Sequence, residues 1–327
     1  MIIPAMKLGF WLGDMASDLF IVIATAGRTE LLCRTLASLA ESRKPAIYRE
    51  TIVVENGPNA AAEEVVRSFH SRLGTRYVYL PQENKSYALN TVLGILGKCL
   101  IFFTDDDVRI HPNTLCAYAE GATGIEMGKF YGGPVSIDYE REPPNWLINY
   151  LPASARGWQL TSGSELTAGD GFFLGCNWAA FSTDLRDGGG FDVHRGPGAV
   201  TGSVGQEEQM QRQLIRKGVQ SVYVPEAIVW HYVPAERCSP KWAAVRAYRS
   251  GISKGLEYTT PVPTILGFPR WMIRGWVERA FQVLIKSVGR DKAAQFDAYH
   301  QFCSFWGYMQ GSRIARRNCI GRVYELR

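Results

Sequence analysis

The sequence has no long uninterrupted apolar run, no CxxC pair, no internal repeat and no low-complexity tract. A membrane-spanning helix needs about 20 mostly apolar residues in succession, so none is expected. Residues 1–18 are partly apolar, but Lys7, Gly9, Gly13 and Asp14 interrupt them and no signal-peptide cleavage pattern follows. The seven cysteines are odd in number and scattered. Neither a zinc ribbon nor a disulfide framework fits them, and reduced thiols in the cytoplasm are the expectation. Charge of one sign is also scarce: the net value of +5 is mild, and all of the excess lies from Arg270 onward. A basic end suits nucleic acid, an anionic membrane or an acidic acceptor. No RNA-binding or zinc-finger pattern supports the first, so no nucleic-acid partner is expected.

A hydrophobic share of 46% beside 20% charged residues marks a globular chain. Its 327 residues accommodate one large α/β domain, or one domain with an appended piece. Leu19-Phe20-Ile21-Val22-Ile23-Ala24 is continuous and apolar, the mark of a strand buried on both faces. After a turn at residues 25–29, Leu31, Leu32, Leu36 and Leu39 recur at helical spacing. The alternation then repeats. Strands are expected at 51–54, 77–80 and 98–103, and helices at 60–69 and 87–96; Glu55-Asn56-Gly57-Pro58 is a strong turn signal. The simplest fold is a parallel sheet with helices on both faces, which brings the ends of all four strands to one rim. Residues 130–202 are rich in Gly, Pro, Trp and Tyr, a composition common in functional loops. Further on, residues 207–217, 242–256 and 270–288 read as helices, and 220–224 and 228–231 as strands.

Asp105, Asp106 and Asp107 stand in a row at the end of the fourth predicted strand. Adjacent carboxylates repel and are costly to desolvate, so a buried strand seldom ends this way without a counter-ion. Hard Mg2+ or Mn2+ prefers carboxylate oxygen and keeps room for water and phosphate. Open α/β sheets bind ligands at this rim, so the triplet reads as a metal–diphosphate site. The plain alternative is a solvated acidic turn.

Four separated segments carry a resemblance. Residues 21–28 (Ile-Val-Ile-Ala-Thr-Ala-Gly-Arg), 53–57 (Val-Val-Glu-Asn-Gly) and 102–107 (Phe-Phe-Thr-Asp-Asp-Asp) are three of them. The fourth is Gly189-Gly190-Phe191-Asp192 followed by Gly205-Gln206-Glu207-Glu208 and a helix. In this order they resemble the family 2 glycosyltransferases, which implies a GT-A fold: a Rossmann-like, mostly parallel α/β sheet flanked by helices. The resemblance implies a catalytic domain over residues 1–235 and a helical, basic extension over 236–327. It also implies a metal-dependent, inverting transfer from a nucleoside-diphosphate sugar, with a UDP-sugar as first candidate. The acceptor would be a hydroxyl of a glycan, a lipid-linked sugar or another molecule, in polysaccharide or glycoconjugate synthesis.

Carried onto this sequence, the DxD pattern implies that Asp107 binds Mn2+ or Mg2+ and that Asp105 reaches the ribose or nucleotide side; Asp106 shares either role. Glu55 or Asn56 would recognise the base, by a carboxylate or an amide. Thr25 and Arg28 would line the same pocket, the alternative being a polar turn with an exposed arginine. Asn84, Lys85 and Asn90 resemble the stretch that closes over the donor, against a helix cap with a surface lysine. Glu207 is expected as the general base, with Glu208 next; an ordinary acidic first turn is the alternative. His231 is either a metal ligand or a core histidine. Trp178, Trp146 and Trp158 are sugar-stacking platforms or core, and Asp170 binds an acceptor hydroxyl or caps a turn. His194 sits in a loop that folds over the substrates or faces solvent.

At the basic end, residues 270–279 mix Trp, Met, Ile and Val with Arg at helical spacing. That is an interfacial-helix pattern, which would rest the enzyme on the cytoplasmic face of the membrane; a helix packed back on the domain is the alternative. Two other functions compete with sugar transfer. A nucleotidyltransferase wants a longer glycine-rich loop than Thr25-Ala26-Gly27-Arg28, and a non-catalytic binding module has no need of acids at both the metal and base positions.

Overall fold

The structure, a computed structural model, describes residues 17–160, 172–258 and 260–325. Strands β1 (Leu19–Thr25), β2 (Tyr48–Asn56), β3 (Arg76–Leu80) and β4 (Leu100–Asp105) alternate with helices α1 (Thr29–Glu41), α2 (Glu63–Ser68), α3 (His70–Leu73) and α4 (Lys85–Ile95). Then come β5 (Val108–Ile110), α5 (Thr114–Gly121), β6 (Lys129–Gly132), β7 (Val135–Tyr139), α6 (Asn145–Ile148) and α7 (Ala153–Arg156). They are followed by β8 (Trp178–Phe181), α8 (Ser182–Asp187), α9 (Gln206–Arg216), β9 (Gln220–Tyr223) and β10 (Val229–Val233). The chain continues through α10 (Pro240–Gly255), a hairpin of β11 (Thr264–Ile265) and β12 (Phe268–Pro269), α11 (Arg270–Ser287) and α12 (Lys292–Glu325).

The main sheet has the order β3-β2-β1-β4-β8-β6-β9. Its first four strands are parallel, and β8 runs antiparallel to both β4 and β6. The mostly parallel, helix-flanked sheet expected from the sequence is therefore present. Along β1, Ile21 and Ile23 pack with Leu32 and Leu36 of α1, while Val22 and Ala24 pack with Ala88 and Val92 of α4. Both faces are covered, which is why the strand reads as an unbroken apolar run. The helix expected over 60–69 is the shorter α2, and a second short helix, α3, follows it. A second sheet, β5-β10-β7, sets His231 opposite Val108; β10 is the strand expected at 228–231, while β5 and β7 are not among the expected strands.

Leu147, Val233, Ala243 and Phe296 share a third apolar cluster, so α10 and α12 pack on the loop and strand elements before them. The long helix α12 lies within the helical C-terminal extension expected from the sequence. It packs against both α10 and α11, so its apolar residues do not form one stripe. Its contact with α10 is backbone to backbone. A Cβ at Gly307 would lie 1.9 Å from the Tyr248 carbonyl oxygen, and one at Gly311 would lie 2.2 Å from that of Ile252. Gly311→Val should therefore push the helices apart and lower stability by about 1–3 kcal/mol, read by urea denaturation. An unchanged midpoint would mean that the helix pair contributes nothing to folding. Among the described residues, no helix is long and apolar enough to cross a membrane.

Candidate active site

In the order β3-β2-β1-β4 the chain steps one way from β1 to β2 and the other way to β4. The crevice at the carboxyl ends of β1 and β4 is thus the switch point where such sheets hold ligands. Ala24 lies opposite Asp105 there. The three carboxylates that follow point to three different partners. Asp106 is buried; its Oδ2 accepts from Thr25 Oγ1 at 2.6 Å and from Arg28 Nε at 3.2 Å, and its Oδ1 pairs with Arg28 Nη2. Asp107 is also buried; its Oδ2 accepts from Arg28 Nη1 at 2.6 Å and lies 3.5 Å from Arg237 Nη1. Asp105 Oδ1 accepts from Lys85 Nζ at 2.6 Å, and the same ammonium donates to Glu207 Oε1 at 2.9 Å. Gln206 Nε2 donates to that oxygen at 2.7 Å.

Local structure explains these positions. Glu207 lies in the first turn of α9, and its carboxylate lies against Gly175: a Cβ there would be 2.4 Å from Glu207 Cδ. Lys85 opens α4, capped by Asn84, whose Oδ1 accepts from the Tyr87 N–H at 2.9 Å. The loop after α8 is stitched onto these turns. Asn84 Nδ2 donates to the Val193 carbonyl at 2.9 Å, and Ser86 Oγ donates to that of Arg195 at 2.9 Å. Asn90 exchanges two hydrogen bonds of 2.8 Å with the Phe191 backbone.

Burial favours the neutral form of Asp106 and pushes its carboxyl up to about 6; Arg28 opposes the rise and Asp107 adds to it. Burial also works against charge on Asp107, but His231, Arg28 and Arg237 together hold it below the usual carboxylate range. For Lys85, burial is overcome by Asp105 and Glu207, which raise its pKa. Arg28 is likewise raised by the three aspartates against the effect of burial.

Asp105, Asp107 and His231 each bring one ligating atom into a group whose members lie within 4.8 Å of one another. Asp107 Oδ1 is buried without a hydrogen-bond partner, with His231 Nε2 3.3 Å away. An acceptor-only oxygen facing a second carboxylate and an imidazole fits a divalent cation.

The structure places the other candidate residues away from a free ligand-facing position, and for the tryptophans and His194 it agrees with the core and solvent alternatives. Glu55 is fully buried and accepts the N–H groups of Ala61 at 3.0 Å and Ala62 at 2.9 Å and the Tyr77 hydroxyl at 2.5 Å. Its Oε1 accepts only from the Ala61 N–H at 3.2 Å, but the whole carboxylate is buried against its own chain and is not exposed at the rim. Asn56 ties three elements together: in the amide orientation that satisfies both ends, it donates to the Thr25 carbonyl at 3.1 Å and accepts from the Asn84 N–H at 3.2 Å. Asn84 and Asn90 hold the loop after α8, as described, and their amides are occupied there. Trp178 is fully buried, 4.9 Å from the Phe103 ring centroid, and offers no face to a sugar. Trp146 and Trp158 pack against Phe296 and Phe173. Glu208 is half-exposed and pairs with Arg212 at 2.7 Å on the outer side of α9. His194 is exposed. Asp170 lies outside the described residues.

Two further arginines reach the site. Arg237 follows β10 and reaches Asp107. Arg246, on α10, lies within electrostatic reach of Glu207, which counters the lowering of its pKa by burial. Neither sits in a local motif, so only the folded chain reveals them.

The chain matches the model of glycosyl transferase family 2 over residues 20–188. Succinoglycan biosynthesis protein ExoM of Rhizobium meliloti (strain 1021) is 28% identical over 243 residues, 72% of this chain and 73% of that protein. Validoxylamine A glucosyltransferase of Streptomyces hygroscopicus subsp. jinggangensis (strain 5008) is 32% identical over a shorter span, 35% of this chain and 29% of that protein. Among solved structures, the mannosyltransferase PcManGT from Pyrobaculum calidifontis, in complex with GDP-Man and Mn2+, is similar with a TM-score of 0.53 at 20% identity, over 92% of this chain and 88% of its own. That likeness concerns the fold alone. The family match takes in β1 through β8 and the whole acidic strand tip, while the Glu207 segment lies beyond it. The chain belongs to glycosyl transferase family 2 and is a glycosyltransferase with the GT-A architecture.

Proposed function

We propose that this enzyme moves a sugar, with inversion, from a nucleoside-diphosphate sugar to an acceptor hydroxyl, with the help of a divalent cation. The observation that carries this is the double contact of Lys85 Nζ, 2.6 Å from Asp105 and 2.9 Å from Glu207, which joins the cation-binding rim to the acid on α9. Asp105, Asp107 and His231 would hold the cation, Mn2+ first and Mg2+ second. When bound, it supplies Lewis-acid charge to offset the negative charge of the leaving diphosphate.

The remaining work falls to the protein. Arg28 and Lys85 are cations at the rim, suited to diphosphate oxygens, and Arg237 and Arg246 add positive charge nearby. Thr25 and Asp106 fix Arg28, so their part in donor binding is to position that guanidinium. Glu207 takes the acceptor proton as the acceptor oxygen attacks the anomeric carbon. The bond from that carbon to the β-phosphate oxygen breaks, and the nucleoside diphosphate leaves from the opposite face. Residues 1–235 form the catalytic unit in this scheme, and residues 236–327 the helical extension. We also propose that the enzyme works peripherally at the inner face of the cell membrane, where a lipid-linked hydroxyl acceptor would meet it.

A panel of UDP-, GDP- and dTDP-sugars with Mn2+, Mg2+ or EDTA tests the donor and cation together. One sugar nucleotide should stabilise the protein by about 3 kcal/mol at a hundred times its Kd, and EDTA should abolish both this effect and donor hydrolysis. Equal stabilisation in EDTA would remove the cation from the scheme. Stabilisation by nucleoside triphosphates alone would overturn the donor class.

A further inference from the structure

We propose that the outer face of α11 and the tip of the β11–β12 hairpin form a docking surface for an anionic bilayer. The idea rests on the peripheral position proposed above and names the surface responsible. Val277, Phe281, Leu284, Ile285 and Val288 are each at least half exposed. Their spacing places them on one stripe along α11, about 16 Å long. The core-facing side of the same helix is different: Met272 is buried there with Met309 and Phe268, and Ile273 and Trp276 pack beside them. A helix on a globular protein ordinarily has one apolar stripe facing the core and a polar outer side. This one has apolar residues on both sides.

The hairpin supplies a second, independent sign. Leu266 at its tip is 84% exposed and holds φ at 53°. It is the one non-glycine residue with positive φ among the described residues. A leucine in the left-handed region is strained, and exposure to water returns nothing to the fold. Ile265 beside it and Trp271 at the start of α11 are also exposed.

Charge selects the occupant. Residues 270–292 hold six Lys or Arg against two Asp or Glu; Arg279 turns inward over the Phe305 ring and Arg274 pairs with Glu278, so Arg270, Lys286, Arg290 and Lys292 are the cations beside the stripe. Cations flanking an exposed apolar stripe match anionic headgroups above an acyl layer. A second copy of this chain would set the same positive surface against itself, which is unfavourable. Since no described helix is long and apolar enough to cross a membrane, the surface would lie on the bilayer and not through it.

Flotation of the full chain with vesicles of phosphatidylglycerol and phosphatidylcholine, against pure phosphatidylcholine, tests this. The wild type should float with the anionic vesicles only. The Phe281→Ser/Leu284→Ser variant should bind at least about tenfold more weakly. Leu266→Gly should also bind more weakly while its unfolding midpoint stays level or rises, because glycine relieves the strain. Donor hydrolysis in vesicle-free buffer should match the wild type throughout. Loss of flotation by none of the variants, or no flotation of the wild type, overturns the surface and leaves the sugar-transfer proposal standing if hydrolysis persists. A fall in hydrolysis alongside flotation also overturns it, since the face would then serve the fold. So does a wild-type dimer that becomes a monomer in the double variant without vesicle binding, because the occupant is then a second copy.

Discussion

Asp107→Asn should lower sugar transfer by at least about 100-fold, the usual cost of removing a group that stabilises developing charge on a leaving group. The asparagine keeps the volume of the side chain and one carbonyl oxygen, so the packing around it has little reason to change. What it loses is the charge. Asp107 Oδ1 is buried without a hydrogen bond beside His231, and Oδ2 lies between Arg28 and Arg237. With a neutral amide there, the three-residue ligand group becomes one carboxylate and one imidazole, a weak site for a hard cation. Stabilisation by sugar nucleotide should then become insensitive to EDTA. Asp106→Asn is the useful contrast. Asp106 is locked to Thr25 and Arg28 and is not among the ligating atoms, so its variant should keep cation-dependent donor binding. Undiminished transfer by a folded Asp107→Asn protein would remove the cation site from the proposal.

The sequence carried the frame of this site more plainly than its details, for physical reasons. Strands covered on both faces must be apolar throughout, so β1, β2 and β4 announce themselves, and three adjacent carboxylates at the end of one of them demand an explanation. Polar and aromatic residues near the rim are different, because their roles depend on what folds onto them. Glu55 is taken up partly by Tyr77, and Asn90 by the backbone of Phe191, which lies 101 positions along the chain. Trp178 becomes core only because Phe103 and Phe191 close around it. Lys85 reads locally as a surface lysine after a helix cap. Its two carboxylate partners come from positions 20 and 122 residues away. Arg237 is missed for the same reason: its partner Asp107 is far off in sequence and no spacing rule connects them. On the sequence alone His231 is ligand or core, and the register of β10 with β5 sets it next to Asp107.

Glu207→Gln is the second variant with a large expected effect, a loss of about 10²–10⁴-fold in transfer, the range for a general base. Glutamine keeps the oxygen that accepts from Lys85 and Gln206, so Lys85 should hold its place between β4 and α9. The proton-accepting capacity is what disappears. The loss should therefore fall on kcat, while donor affinity and its dependence on cation stay near wild type. Adjacent residues on a helix point about 100° apart, and Glu208 already faces outward to Arg212. An exposed pair of that kind contributes little, so Glu208→Gln should change transfer by less than about twofold. Gly175→Ala probes the same acid from the other side. Its new Cβ would fall 2.4 Å from Glu207 Cδ, so the carboxylate must move and kcat should fall with the acid itself intact. If Glu208→Gln were the damaging change and Glu207→Gln the silent one, α9 would have to rotate in the working enzyme, and the Lys85–Glu207 contact would be a resting arrangement only. If both were silent, the acceptor proton would leave by a route that does not involve α9, and single displacement driven by this acid would be the wrong mechanism.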